Sequence, residues 1–199
     1  MKQIKYLLLT IMLFACGTVR AQFDGFGLRT QLPQWVFLSP GAGFDISWNG
    51  RYMVSAFGSY GDWDISHDTK WITISTVGVD VRRYFSDGVV NWANPNGKNY
   101  FGMYLGLAGR LFNFNNHLTS THSQGNIWTV GPIVGYNFHL QGNWAIDASL
   151  GMGYCYDNYT RYKWYPPMET NRKTKEVKGS RFGLTDVSVA ITYRFSIEN

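Results

Sequence analysis

Two short segments of the chain bring together hydroxyl, imidazole and carboxyl groups, which are the groups of a hydrolytic catalytic site. The first segment contains His117, Ser120, His122 and Ser123. A serine nucleophile needs a base within hydrogen-bonding distance and a third group that orients the base. The sequence around these residues matches no ordered catalytic motif, and such groups are common in exposed loops. We therefore expect a protein that is not an enzyme, with catalysis as the alternative.

The second segment is acidic and could bind a cation. It contains Asp62, Asp64, His67 and Asp68, and carboxylate oxygens are the ligands that Ca²⁺ prefers. These residues lack the spacing of a dedicated calcium-binding loop. A solvated acidic turn is the simpler interpretation, and we expect neither a metal site nor a cofactor.

A third group consists of arginines and aspartates that alternate with apolar residues. Successive side chains of a β-strand point to opposite faces, so these charges would share one face of a sheet. Their signs balance, as a desolvated interior requires, whereas a selective ion pathway favours a ring of one sign. The pattern predicts a network of ion pairs formed by Arg29, Asp45, Asp80, Arg82, Arg110, Asp147, Asp186 and Arg194.

Basic residues are concentrated near the carboxyl terminus, in a stretch that we predict to be one long loop, Asn158 to Arg181. A nucleic-acid-binding protein would spread such charge over a face with interleaved aromatic residues, so no nucleic acid is expected. The stretch predicts attraction to an anionic surface, screened by salt; a solvated loop without a ligand is the alternative. Its basic residues are Arg161, Lys163, Arg172, Lys173, Lys175, Lys178 and Arg181.

The elements that must position these side chains are β-strands with two chemically different faces. Glycine and balanced charge recur on one face and aromatic or aliphatic residues on the other, which predicts a closed barrel with lipid outside. Pro132, on the outer face, predicts a bulge. We predict one domain, residues 22–199, with eight strands at about Phe26–Leu32, Ala42–Trp48, Arg51–Tyr60, Trp71–Phe85, Phe101–Leu111, Trp128–Phe138, Trp144–Tyr154 and Asp186–Phe195.

The connections support this arrangement because membrane barrels alternate short inner turns with long outer loops. Asn49-Gly50 and the segment His139 to Asn143 are short turns, and Asn-Gly is a strong hairpin signal. The predicted long loops are Gly61 to Lys70, Asn113 to Asn126 and Asn158 to Arg181. One inner connection, Ser86 to Asn99, is longer than expected.

The amino-terminal segment has the pattern of a cleavable signal peptide, residues 1–21. Basic residues precede an apolar run from Tyr6 to Ala15, and Val19-Arg20-Ala21 is a small-residue cleavage site. A lipoprotein signal at Leu13-Phe14-Ala15-Cys16 is the alternative. Cleavage after residue 21 would leave Cys155 as the only cysteine, so no intramolecular disulfide is expected.

Several strand and turn segments together carry a family resemblance. They are Ser39-Pro40 through Gly43-Phe44-Asp45, Tyr60-Gly61-Asp62-Trp63, Asp80-Val81-Arg82-Arg83-Tyr84-Phe85, Phe101-Gly102-Met103-Tyr104 and Leu150-Gly151-Met152-Gly153-Tyr154. The chain resembles the domain-of-unknown-function 3575 family of small bacterial outer-membrane proteins. The resemblance implies a signal peptide, a small barrel and the outer membrane, without a settled activity. Members are often encoded near fimbria-like surface proteins, which implies envelope or adhesion work.

The sequence therefore predicts an eight-stranded antiparallel up-and-down transmembrane β-barrel in the outer membrane of a Gram-negative cell. We expect a structural, adhesive or fimbria-associated role carried by the outer loops, and not an open pore. The alternatives are a lipid-modifying barrel enzyme, a hydrolase or acyltransferase, and a secreted lipocalin-like carrier. The expected partners are outer-membrane lipid, anionic glycolipid, surface or fimbrial proteins and the barrel-assembly machinery, which would recognise Tyr193 and Phe195 in the last strand.

Overall fold

The computed structural model describes residues 23–66, 70–85, 101–117, 121–165 and 170–196. Nearly all of them lie in eight antiparallel strands, each paired with the next, and the first pairs with the last to close a barrel. This confirms the predicted all-β, eight-stranded arrangement. The predicted signal peptide and the Ser86 to Asn99 connection lie outside the described residues. The elements are β1 (Phe23–Gln31), α1 (Leu32–Val36), β2 (Gly41–Trp48), β3 (Tyr52–Ser66), β4 (Lys70–Tyr84), β5 (Gly102–Asn116), β6 (Thr121–His139), β7 (Trp144–Tyr165) and β8 (Thr170–Ser196).

The barrel is polar inside and apolar outside. In β4, Val77, Val79 and Val81 are 55%, 49% and 47% exposed, while Asp80 and Arg82, on the opposite face, are each 1% exposed. The alternation of side chains along a strand produces this separation. It contradicts the lipocalin-like alternative, which requires an apolar lumen and a polar exterior.

The short turns lie together at one end of the barrel, which we call the turn end. Asn49 and Gly50 have φ of 54° and 68°, the two positive values that a tight hairpin turn requires and that Asn and Gly tolerate. The Gly50 amide donates to the Asp24 carboxylate over 2.6 Å, which fixes the turn against β1. The turn between β6 and β7 lies at the same end.

At the other end, the strands are longer than predicted. The predicted loops Gly61 to Lys70, Asn113 to Asn126 and Asn158 to Arg181 are largely strand, since β3 ends at Ser66 and β5 at Asn116. The outer face becomes polar there, so the apolar alternation that marks a strand is lost while backbone pairing continues. The predicted basic loop is thus a two-stranded extension of β7 and β8. We call residues 158–165 and 170–181 the basic ribbon, and its end of the barrel the ribbon end.

The predicted bulge at Pro132 is wrong. Val130 pairs with Tyr154 and Ile133 with Gly151, so the register of β6 does not shift around this proline. Pro132 points outward, and its missing N–H leaves only a local gap in the ladder between β6 and β7. The register instead shifts where Gly151 pairs with Asp186 and Met152 with Leu184, which makes Thr185 an extra residue of β8.

The barrel wall has a notch at the ribbon end, because β1 and β2 are short. β1 ends at Gln31 opposite Ala190, and β2 begins at Gly41 opposite Ser59, while β8 and β3 continue beyond these points. The helix α1 and the residues after it lie in this gap, where the Tyr60 amide donates to the Pro40 carbonyl over 3.3 Å. Within the described residues, α1 is far too short to cross a membrane, and no longer apolar helix occurs.

Candidate functional site

The predicted lumen charges meet around one aspartate, Asp80, inside the barrel. Its carboxylate lies 2.6 Å from a nitrogen of Arg82, 2.8 Å from one of Arg110 and 3.7 Å from one of Arg29. Arg29 also lies 3.4 Å from Asp45. These side chains are almost completely buried. One carboxylate therefore links three guanidinium groups that come from three different strands.

A second part of the network surrounds Asp147 on β7. Arg82 pairs with Asp147, whose carboxylate also accepts a hydrogen bond from the Tyr104 hydroxyl over 2.7 Å and one from the Asn137 amide over 3.2 Å. The Arg82 guanidinium lies 4.7 Å from the centre of the Tyr104 ring. Gly135 makes room for this ring, because a Cβ at that position would collide with it. Asp147 therefore has a partner for each of its oxygens.

A third part lies closer to the ribbon end. Arg110 Nε is 3.2 Å from Asp186, and Asp186 also accepts a hydrogen bond from the Ser149 hydroxyl over 3.0 Å. The Arg110 guanidinium lies 4.7 Å from the Phe57 ring centre. Gly78 permits this contact, because a Cβ there would lie 2.7 Å from Arg110 Cδ.

Arg194, the remaining predicted lumen residue, lies on the inner face nearer the turn end than the other charges. It is partly exposed near the turn end, with its guanidinium 5.0 Å from the Phe101 ring centre. Tyr104, Asn137 and Ser149 also belong to the network, although the sequence did not predict a site role for them. They lie at every second position, on the same strand faces as the charges. This alternation is the sequence feature that could have placed them in the lumen.

The buried network fills the lumen where the charges meet. Removing charges from water is costly, and the mutual attraction of two ions offsets that cost only when the remaining polar atoms are also bonded. Tyr84 and Tyr104 are 1% and 0% exposed beside the ion pairs, with ring centres 5.1 Å apart. The arrangement can hold opposite strands together across the barrel.

The basic ribbon carries its own counter-charges. Lys173 Nζ and Lys178 Nζ lie 2.7 and 2.5 Å from Glu176, and Arg181 lies 2.9 Å from Asp157. Hydrogen bonds from the two lysines lower the pKa of Glu176 to about 2, so this carboxylate stays ionised at neutral pH. Part of the predicted positive charge is therefore compensated within the ribbon.

The other predicted basic residues of the ribbon lie on both of its arms. Arg161 donates to the Tyr159 hydroxyl over 3.2 Å, and Lys175 is exposed opposite Arg161. Lys163 is also exposed. Arg172 pairs with Lys163 along the backbone, and its side chain is outside the described residues.

The candidate catalytic histidines contact each other on the outer face near the ribbon end. His117 Nδ1 lies 3.2 Å from His122 Nδ1, and Trp71 stacks on His117 with ring centres 4.2 Å apart. Burial, and secondly the neighbouring His117, lower the pKa of His122. Ser120 lies outside the described residues. In the part of the chain that is described, neither imidazole bonds to Ser123 or to a carboxylate.

The acidic segment makes local hydrogen bonds. The carboxylate of Asp62 accepts from the Thr73 hydroxyl over 2.9 Å and from the Tyr60 hydroxyl over 3.4 Å. His67 and Asp68 lie outside the described residues. Among the residues that are described, no three His, Cys, Asp or Glu side chains form a group that could hold a metal ion.

The aromatic residues of the last strand join it to its neighbours. Phe195 stacks on Phe26 of β1 with ring centres 4.6 Å apart, and Tyr193 meets Trp144 of β7 at 4.9 Å. These two contacts lie near the turn end, where β8 closes the barrel against β1. The predicted assembly residues therefore pack against both neighbouring strands, and Phe195 contributes to the closing contact between β8 and β1.

The family model described as "Protein of unknown function (DUF3575)" matches residues 7–195. No curated protein matches the chain. Among solved structures, it is similar to the crystal structure of a major outer membrane protein from Thermus thermophilus, with 13% identity and a TM-score of 0.39, over 89% of this chain and 100% of that chain.

Proposed function

The chain belongs to the DUF3575 family, and we propose that it is a small barrel of the Gram-negative outer membrane whose role is structural or adhesive. In this proposal the lumen is not an open pore, and the ribbon end faces the medium. The basic ribbon carries the adhesive role by binding anionic glycolipid or an acidic surface or fimbrial protein.

The apolar outer surface is the observation that carries the membrane location. Leu28, Val77, Leu107 and Leu150 lie on four different strands, and they are 56%, 55%, 57% and 48% exposed. Soluble monomers rarely expose a continuous apolar band of this kind, whereas a membrane barrel requires one. The inward faces of the same barrel carry the buried ion pairs. Polar and apolar residues are therefore arranged in the opposite way to those of a soluble barrel.

Aromatic residues at the turn end support the same location. Phe85, Phe138 and Trp144 are each about half exposed there. Such rings collect where the polar headgroups of a membrane begin, since they combine an apolar body with a polar or polarisable edge. The turn end would then lie at the periplasmic boundary of the membrane.

The outer face also supports the orientation, because it changes character toward the ribbon end. Thr73, Ser75, Asn113 and Asn115 lie on the outward face of β4 and β5 beyond the apolar band. A polar outer face is expected for strand segments that extend beyond the membrane into water. The basic ribbon extends farther in the same direction.

No catalytic role is part of this proposal. The two candidate histidines contact each other and Trp71, and a nucleophile–base–orienter arrangement is what catalysis would require. A cofactor is likewise not proposed.

A charge change in the ribbon tests the adhesive role. We expect the triple change Lys173→Gln, Lys175→Gln and Lys178→Gln to weaken binding of the reconstituted barrel to vesicles that contain lipopolysaccharide by about tenfold. The loss should shrink as salt is added, because salt screens exposed charges. Co-sedimentation over a range of ionic strengths measures both effects.

Glu176→Gln is the matched control, because it removes a negative charge from the ribbon where the triple variant removes positive charges. It removes the carboxylate that binds Lys173 and Lys178, so binding should become stronger at low salt. Heat-dependent gel mobility should be unchanged in both proteins, since the ribbon lies outside the barrel body. Equal binding of wild type, triple variant and Glu176→Gln at low ionic strength would contradict a role for the basic ribbon in binding an anionic surface.

A further inference from the structure

A cavity of about 430 Å³ lies in the half of the lumen nearer the ribbon end. Side chains of Phe57, Ile74, Phe112 and Ile127 line it, and the Arg110–Asp186 pair borders it on the side of the ion-pair network. Its volume falls within the range of about 300–1,000 Å³ that is typical of small-molecule sites. The lumen is therefore filled around Asp80 but not throughout its length.

Three buried polar groups line this cavity without a hydrogen-bond partner in the described part of the chain. They are the side-chain amide nitrogen of Gln31, the side-chain amide oxygen of Gln34 and the hydroxyl oxygen of Thr185. Gln31 and Thr185 are 5% and 4% exposed. Buried polar groups are almost always paired in folded proteins. Their position in the wall of a cavity leaves them available to a ligand that carries hydrogen-bonding groups.

The charges beside the cavity favour an uncharged ligand. Arg110 lies 3.2 Å from Asp186 and 2.8 Å from Asp80, so its positive charge is already compensated. Arg181 also lines the cavity, and its charge is compensated by Asp157 at 2.9 Å. An anionic group placed here would be repelled by Asp186, and a cationic group by Arg110. Hydroxyl or amide groups can bond to Gln31 and Thr185 without either penalty.

The notch gives the cavity an apolar border. Pro33 and Phe37, from α1 and the residue after it, also line the cavity. Trp35 and Val36 of the same helix are 54% and 77% exposed. An apolar chain can therefore contact aromatic and aliphatic side chains both inside the cavity and at its border.

We propose that this cavity binds a single-chain uncharged amphiphile. Its apolar chain lies against Phe57, Phe112 and Ile127, and its hydroxyl-bearing head bonds to Gln31 and Thr185. The inference concerns the lumen and does not depend on the adhesive role of the basic ribbon.

Titration with 1-decanoylglycerol tests the proposal on the full barrel in phosphatidylcholine nanodiscs, with empty nanodiscs as the blank. Native mass spectrometry should show saturable binding of one molecule per barrel. Ile127→Trp fills the cavity from β6 and should weaken binding at least tenfold. Thr185→Val keeps the shape but removes the hydroxyl, and it should weaken binding by about fivefold, the effect of one hydrogen bond.

Val130→Trp is the matched control, because Val130 lies on the outward face of the same strand as Ile127 and is 47% exposed. It should bind like the wild type, and all variants should keep heat-dependent gel mobility. The triple lysine variant of the ribbon should also bind like the wild type, which separates this test from that of the adhesive role. No saturable binding by the wild type, equal binding by Ile127→Trp and Val130→Trp, or tighter binding of decanoate would each overturn the proposal.

Discussion

At the scale of the residue, the lumen network shows how charges can be buried inside a closed β-barrel. Asp80 bonds to or lies beside Arg29, Arg82 and Arg110, and each of these arginines also has a second carboxylate. The sequence predicted that these charges share an inner face. It could not predict that Asp80 would be the centre, because pairing across the lumen depends on the tilt and register of strands distant in sequence.

Removing the central carboxylate should destabilise the barrel strongly. Asp80→Ala leaves three arginines with less compensation, and breaking a buried ionic set typically costs about 3–5 kcal/mol of unfolding free energy. Arg110→Ala and Asp147→Ala should have effects of the same order. Urea unfolding of the detergent-solubilised barrel, followed by tryptophan fluorescence, measures the change.

Asp62→Asn is the control for this experiment, because Asp62 is an exposed aspartate near the ribbon end. It should shift the unfolding free energy by no more than about 1 kcal/mol. A wild-type urea midpoint for Asp80→Ala would show that these side chains do not face a dry lumen.

The histidine pair gives a second prediction at the residue scale. Burial is the main cause of the lowered pKa of His122, and His117 is the second. His117→Asn should therefore raise the pKa of His122 while leaving it below about 6.5, the ordinary value. NMR titration of the imidazole carbon-bound protons measures both proteins.

The lowered pKa of His122 also determines how the stability of the protein depends on pH. The unfolded chain binds a proton at His122 more readily than the folded chain does, so the unfolding free energy should decrease as pH falls below about 6.5. A pKa for His122 at or above that of a free histidine peptide, or one unchanged by His117→Asn, would contradict the observed contact.

At the scale of the element, β4 shows what the sequence could and could not reveal. Around Val79 and Asp80, apolar and polar residues alternate because one face is exposed and apolar and the other contains the buried charges. That pattern correctly predicted which side chains of β4 point into the lumen and which point outward. The basic ribbon has polar residues on both faces, so only backbone pairing between Asn158 and Lys178, or Tyr165 and Thr170, defines it as strand.

The notch could not be predicted from the sequence either. Leu32 was expected to extend the first strand, but Pro33 lies in the first turn of α1, where a fixed φ and a missing N–H are tolerated. The extra residue at Thr185 likewise has no sequence signal, since nothing in its type distinguishes it from its neighbours. Both features contribute to the cavity, which the sequence did not predict.

The last strand provides a prediction at this scale. Phe195→Ala removes the ring that stacks on Phe26 and meets Tyr193 at 4.9 Å, so closure between β1 and β8 should be impaired. We expect less folded barrel in the membrane fraction, measured by heat-dependent gel mobility. Val187→Ala, on the exposed face of the same strand, should have a much smaller effect. Equal amounts of both folded variants would show that closure does not depend on Phe195.

At the scale of the whole molecule, three zones follow one another along the barrel axis. The turn end has exposed aromatic residues, the middle has an apolar exterior around paired charges, and the ribbon end has polar and basic surfaces. Each zone fits one layer of an asymmetric envelope: periplasm, membrane and medium. We therefore propose that the barrel crosses the outer membrane with the ribbon end outside.

Cysteine labelling on intact cells tests this orientation of the barrel. In a Cys155→Ser background, Gln141→Cys places a thiol in the exposed turn between β6 and β7, and Lys173→Cys places one on the exposed ribbon. Both proteins should be found in the outer-membrane fraction. A membrane-impermeant maleimide should label Lys173→Cys on intact cells and Gln141→Cys only after the outer membrane is permeabilised. Labelling of Gln141→Cys on intact cells, or of Lys173→Cys only after permeabilisation, would contradict this orientation of the barrel.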